Sequence, residues 1–343
     1  MAGKMAHPVE YPDQPVLARV IRGAHVESQH RGAWALVDSA GHVHEGAGEF
    51  NHLFFARSAI KCLQALPLIE TGAADRFRLD DADIALALAS HNAEPIHTAR
   101  IQELLLRLGL SVDSLLCGPQ LPGDRETRRE LLLSGADPSP LHNNCSGKHA
   151  GFLALTRHLS GNPERYLDLG SPAQSAARAA IAEMVDTPEE GLTWAIDGCS
   201  APTYRLSLKQ MGTAFARITS PDGLSEARRD AAERMLGAVE RHPELIAGNR
   251  GRLCTAIARA SRGSLFPKIG AEAIYAVGAL GRDRALVVKI DDGANRALHA
   301  VVLHLLQRFD WLEGAATNEL STWMDDSLYN WAGLEVGRIE VTA

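Results

Sequence analysis

The chain has 343 residues, 45% of them hydrophobic, and a formal charge of −7 from 42 acidic and 35 basic side chains. That apolar content suffices for a large core, built as one composite domain or two modest ones. Arginines are spread along segments such as 225–240 without a basic block, which excludes nucleic acid as a partner, and no stretch approaches the roughly 18 apolar residues of a membrane span.

The opening MAGKMAHPVEYPDQPV has no signal-peptide core, so a soluble, cytoplasmic protein is expected. LARVIRGAHVES, RGAWALVDSAG and HVHEGAG, within 17–48, read as a strand and a hairpin that turns at Ser39, Ala40 and Gly41. From Asn51 to about Thr187 the period becomes helical: ARIQELLLRLGL, RETRRELLLSG, KHAGFLALTRHL and SPAQSAARAAIAEMVD carry apolar residues three and four apart. GPQLPGD, GADPSPLHNN and SGNPE break these segments. AIYAVGAL (273–280) and ALVVKI (285–290) form a second hairpin, and a helix from about Ala294 presents Leu298, Val301, Val302, Leu305, Leu306 and Phe309. VGRIEV closes the chain as a further strand. The fold class expected is α/β (α+β): a mainly antiparallel sheet from N- and C-terminal strands, flanked by helices, with a long helical insertion. Residues 1–52 and 190–343 supply the sheet domain and 53–189 the helical region, with the active site between them.

Five cysteines, Cys62, Cys117, Cys145, Cys199 and Cys254, are an odd number in a chain with no export signal, so thiols are expected rather than a disulfide framework.

Three short motifs carry the chemistry. In SAIK, Ser58 and Lys61 stand three apart, which on a helix puts their Cβ atoms roughly 5–6 Å apart, within side-chain reach. Ile60, Cys62 and Leu63 supply apolar surroundings that disfavour an ammonium, and a neutral amine takes the proton of a serine attacking a carbonyl. Ser90, His91 and Asn92 follow the helix-like IALALA, and Lys268, Ile269 and Gly270 stand directly before the strand AIYAVG. Singly, each has a plain structural reading: a snorkelling lysine, a helix-capping serine, a solvent-facing strand lysine. In this order they repeat the Ser-x-x-Lys, Ser-x-Asn and Lys-x-Gly set of serine acyl-transfer enzymes. Ser58 with Lys61 then serves as nucleophile and base, Ser90 with Lys268 as a second proton carrier, and Asn92 as a holder of substrate or lysine. Backbone N–H groups at the helix start near Ser58 are candidate oxyanion donors.

HNNCSGKHAGF (142–152) and AIDGCSAP (195–202) fall outside that set. Gly147 and Lys148 do not form a phosphate loop, because the upstream glycine is missing and His149 stands where Ser or Thr is required. Cys145, Lys148, Asp197 and Cys199 include zinc-ligand types, although lysine ligates only when neutral; spacing alone favours buried structural cysteines over metal.

Taken together, SAIKCLQALPL, SHN, NNCSGKHAGFL and DGCSAP resemble the thermolabile, rhizobial-type (class 3) L-asparaginases, or asparaginase II, from about Val16 to the C-terminus. The resemblance implies a fold similar to serine β-lactamases and glutaminases, a homodimer, and hydrolysis of L-asparagine to L-aspartate and ammonia. It implies two serine–lysine pairs, Ser58 with Lys61 and Ser90 with Lys268, and substrate contacts from Arg57, Asn92 and Asp197. It further implies one zinc ion per subunit at Cys145, Lys148 and Cys199, aiding substrate binding more than bond breaking. Ser200 departs from the pattern, which leads one to expect a small or apolar residue such as glycine there. The alternatives are a β-lactamase or penicillin-interacting hydrolase, a glutaminase, or a non-catalytic zinc-binding structural protein.

Overall fold

The computed structural model describes residues 11–343; the first ten residues, part of the segment read for a signal peptide, lie outside the described residues. Eleven strands form two sheets among the described residues. The larger is antiparallel and runs β10 (Ser327–Tyr329), β11 (Glu335–Val341), β1 (Val16–Arg22), β2 (His25–Val37), β9 (Arg284–Ile290), β8 (Ile274–Ala279), β7 (Leu265–Gly270), with β3 (Val43–Ala47) also paired to β2. A smaller sheet joins β4 (Phe54–Phe55), β6 (Pro202–Leu206) and β5 (Trp194–Ile196). The fold is thus a mixed one in which strands from both ends of the chain share an antiparallel sheet, as expected, because neither end alone supplies enough strands.

The first hairpin turns where the sequence placed it. Asp38 Oδ1 accepts from the N–H groups of Ala40 and His42 at 3.1 and 2.8 Å, while Gly41 takes a left-handed φ of 82°. A tighter turn at Gly23, also left-handed, joins β1 to β2. Lys268 stands ahead of β8, as expected, but inside a further strand, β7, that pairs with it; LFPKIG is short and carries a proline, which hides its strand pattern.

Helices cover both faces of the sheet. Val37, Ala285 and Gly278 are paired across three strands, and Val37 and Gly278 both touch the Leu208–Thr219 helix. Successive strand residues alternate faces, so Trp34 points the other way, where it meets Phe309 beyond the Asn295–Arg308 helix at a centroid distance of 5.8 Å. The expected helices appear at Pro95–Arg107, Arg125–Leu133, Ser146–His158 and Pro172–Met184. Lys61–Glu70 is the most deeply set, with every residue from Lys61 to Ile69 buried. The Ser146–His158 helix approaches the Asp81–Ala87 helix so closely that a Cβ on Gly147 would lie 2.3 Å from the Leu86 carbonyl oxygen. Only glycine fits there, which ties NNCSGKH to the segment that delivers Ser90.

Candidate active site

Three chain segments meet at one hydroxyl. Ser58 lies in a single 3-10 turn, Arg57–Ile60, that leads into the Lys61–Glu70 helix. Arg57 before it has φ 49°, a conformation costly for a non-glycine residue and concentrated at functional sites. Strand β7 presses against this turn: a Cβ on Gly270 would come within 2.9 Å of the Ala56 oxygen and 3.1 Å of the Ala59 nitrogen. The glycine of Lys268-Ile269-Gly270 therefore lets the lysine strand reach the serine turn.

Lys61 does not turn to Ser58. Its fully buried Nζ donates to the Ala89 carbonyl, to Ser90 Oγ at 3.0 Å and to the Asn144 carbonyl at 3.5 Å. A buried amine needs acceptors, and these carbonyls outbid a half-exposed hydroxyl three residues back. Lys268, 2% exposed, donates to the same Ser90 Oγ at 2.9 Å and to Ile269 O at 3.1 Å. Ser90 thus bridges both lysines, and the sequence-derived pairing of Ser90 with Lys268 is present alongside an unanticipated one with Lys61. Burial holds Lys61 below its usual value; burial and then the nearby Lys61 charge bring Lys268 down to about 7.

Ser90 is fixed by backbone bonds. Its N–H donates to Ile246 O and that of Asn92 to Ala247 O, both at 2.9 Å, while the His91 N–H donates to Asn144 O at 3.1 Å. The His91 side chain is a link the sequence reading missed. Because Ala93 N–H donates to Nδ1, the ring proton sits on Nε2 and donates to Ser146 Oγ at 2.9 Å; the Ser146 hydroxyl in turn donates to Leu141 O. Burial keeps this ring neutral, so His91 is a fixed strut between Ser90 and the Cys145 loop. Asn92 turns away: its Nδ2 donates to Glu94 Oε1 at 2.8 Å, and Glu94 also receives Asn249.

Cys145, Lys148 and Cys199 converge near Lys61. Lys148 Nζ donates to Cys199 Sγ at 3.2 Å, and all three side chains are buried. A hydrogen bond from Cys199 holds the Cys145 thiol well below the usual range, helped by the Lys61 and Lys148 charges. Arg57 Nε donates to Asp197 Oδ1 at 2.7 Å, which also accepts Gly198 N–H at 2.8 Å. Ser200 closes this loop with φ 69°, so the position at which glycine was expected is a left-handed one, and the serine is strained there. Ser200→Gly is expected to raise stability by about 0.5–1 kcal/mol, read as a higher urea midpoint at unchanged slope. Beside Arg57 opens a cavity of about 510 Å³, lined also by Tyr11, His52, Phe55, Arg205, Lys289 and Asp291.

The geometry thus joins a buried serine to two lysines, and comparison with known proteins gives the class of protein. The family model described as L-asparaginase II matches residues 18–341. The chain belongs to the L-asparaginase II family and is an amidohydrolase. No curated protein sequence matches it. Similar solved structures include a β-lactamase from Mycobacterium bovis, 15% identical, with 85% of this chain and 95% of that one covered at a TM-score of 0.38. Another is Mglu in its native form in 4.3 M NaCl, 14% identical, covering 83% of this chain and 62% of that one at a TM-score of 0.42. The family assignment rests on the match over 18–341 and not on these likenesses.

Proposed function

We propose that the protein is an L-asparaginase that hydrolyses the side-chain amide of L-asparagine by serine acyl transfer. The observation that carries this reading is Ser90 Oγ, held at 3.0 and 2.9 Å by two buried lysines. Two ammonium groups on one hydroxyl in a dry interior repel strongly, so both amines are driven toward the neutral form and can take a proton. A hydroxyl both donates and accepts, so Ser90 passes that proton between Lys61 and Lys268.

Ser58 is the nucleophile. It is half-exposed where Ser90 is shut in, and its hydroxyl makes no hydrogen bond among the described residues. Lys61, three residues on, takes its proton as Oγ attacks the amide carbon; this contact forms when substrate binds, as catalytic hydrogen bonds commonly do. The Ser58 N–H, at the start of the turn, faces the developing oxyanion. The C–N bond breaks, Ser90 and Lys268 deliver a proton to the leaving ammonia, and water releases aspartate from the β-aspartyl ester. Arg57 and Asp197, already paired, offer one charge of each sign to the carboxylate and ammonium of the amino acid, which enters by the cavity beside Arg57.

Zinc fits the Cys145, Lys148 and Cys199 cluster in kind: two sulfurs and a nitrogen, the donor types zinc prefers, lie together. Among the described residues no group of three His, Cys, Asp or Glu could hold a metal, so Lys148 would be the third ligand; despite its burial, the Cys199, Cys145 and Asp197 charges raise its pKa, so the ion would have to displace its proton. Bound there, the ion would supply a positive charge for substrate binding. Cys199→Ser is expected to weaken zinc binding at least 10-fold in competition with a chelating dye; unchanged affinity would remove zinc from this site. A homodimer is part of the same reading, and no described helix is long and apolar enough to cross a membrane.

The deciding assay is ammonia release from L-asparagine with and without a zinc chelator. Release that weakens but persists on chelation is expected. No release under any metal condition would overturn the reading.

A further inference from the structure

A third cation at Ser90 has no part in the mechanism above. Arg252 stands immediately before the Leu253–Ala260 helix, and its Nη2 donates to the Ser90 carbonyl at 2.7 Å. Its neighbours in sequence are neutralised, Arg250 by Asp124 and Glu126, and Arg259 by Glu244. Arg252 is partly buried and forms no salt bridge among the described residues, although the Glu94 carboxylate lies near enough to act on it. An unpaired cation in such a place is costly, and chains rarely carry one without use. The segment that bears it is laced onto the Ser90 loop, through Ser90 N–H to Ile246 O and Asn92 N–H to Ala247 O. Arg252 completes that clamp on the one residue whose hydroxyl both lysines share.

We propose that Arg252 is a positioning residue for the Ser90–Lys268 pair: its guanidinium fixes the Ser90 backbone and, as a permanent cation without a salt-bridge partner, favours the uncharged form of Lys268. The second half of this role rests on the serine–lysine reading for its catalytic meaning. The groups that act on Lys268 are Lys61 and Cys62 from the Lys61–Glu70 helix, Ser90, Arg252 and Cys254. Burial pushes the Cys62 thiol up to about 12, so it is neutral. The cations that act on Lys268 are Lys61 and Arg252. Lys61 gains and loses its own proton, whereas a guanidinium stays charged throughout. Arg252 is the one fixed like charge on the pair.

The test uses the full chain and three variants: Arg252→Gln, which keeps a donor for Ser90 O without charge, Arg252→Met, which removes both, and Arg252→Lys, which keeps the charge. Carbon-13 label at lysine Cε, with Lys268→Met to assign the signal, reports the Lys268 titration midpoint independently of activity. The Gln and Met variants are expected to raise that midpoint by about one pH unit, and to carry the acid limb of kcat/KM up with it; the Lys variant keeps the wild-type midpoint. A folded Gln or Met variant whose Lys268 midpoint is unmoved overturns the proposal. A midpoint that moves without the kcat/KM limb upholds the action of Arg252 on Lys268 and removes Lys268 from the proton path, which is a failure of the serine–lysine reading instead.

Discussion

Alanine at Ser58 is expected to lower ammonia release from L-asparagine by roughly three to six orders of magnitude, the loss seen when a member of a concerted nucleophile unit is removed. Alanine at Ser90 is expected to cost less, about 10²–10⁴-fold, because it breaks the proton path and leaves the attacking oxygen in place. The difference follows from geometry. Ser90 is 6% exposed and its oxygen is already held by two lysines, so attack from it would break both contacts. Ser58 is half-exposed and follows a left-handed Arg57 that aims the turn. Acid-quenched enzyme examined by peptide mass mapping should carry the aspartyl group on Ser58. Label on Ser90, or near-normal turnover by Ser58→Ala with a dead Ser90→Ala, would exchange the two roles.

The residues that sequence reading found are those in contiguous motifs, where three or four side chains announce one loop. SAIK, SHN and the lysine of KIG are brought to a single point, and Cys145, Lys148 and Cys199 to another beside it. Partners were harder to read than members. Local spacing set Lys61 on Ser58, but the lysine is the first residue of a helix whose interior face looks onto Ala89, Ser90 and Asn144, and those tertiary acceptors took it. Arg252 left no trace in the pattern, because it acts through a backbone carbonyl 162 positions away, and any residue type presents that carbonyl. His91 was visible as a letter in SHN, yet its strut role depends on Ser146, which the sequence offers only as part of a cysteine motif. Strands β5 and β6, of three and five residues, were too short for an alternating pattern to declare them.

Lys268→Met is expected to destroy most activity and, near neutral pH, to make the protein more stable. Burial lowers this lysine from 10.5 to about 7, so between those values the unfolded chain binds a proton that the folded one does not. Stability contributed at this position therefore rises with pH across that window, and the full penalty is present below about pH 7. The shift corresponds to about 5 kcal/mol, as an order of magnitude. Methionine removes that penalty but leaves Ser90 Oγ and Ile269 O each short of a donor, at about 1–3 kcal/mol for a buried group. The balance is a gain of about 1 kcal/mol at pH 6 that shrinks as pH rises and reverses by pH 10, where the folded lysine is neutral and most of the penalty has gone. Urea unfolding of the wild type and of Lys268→Met at those two pH values measures it. The two stability curves should cross; parallel curves would mean that Lys268 is charged in the folded protein, and a charged Lys268 cannot accept the proton that the proposed chemistry sends through Ser90.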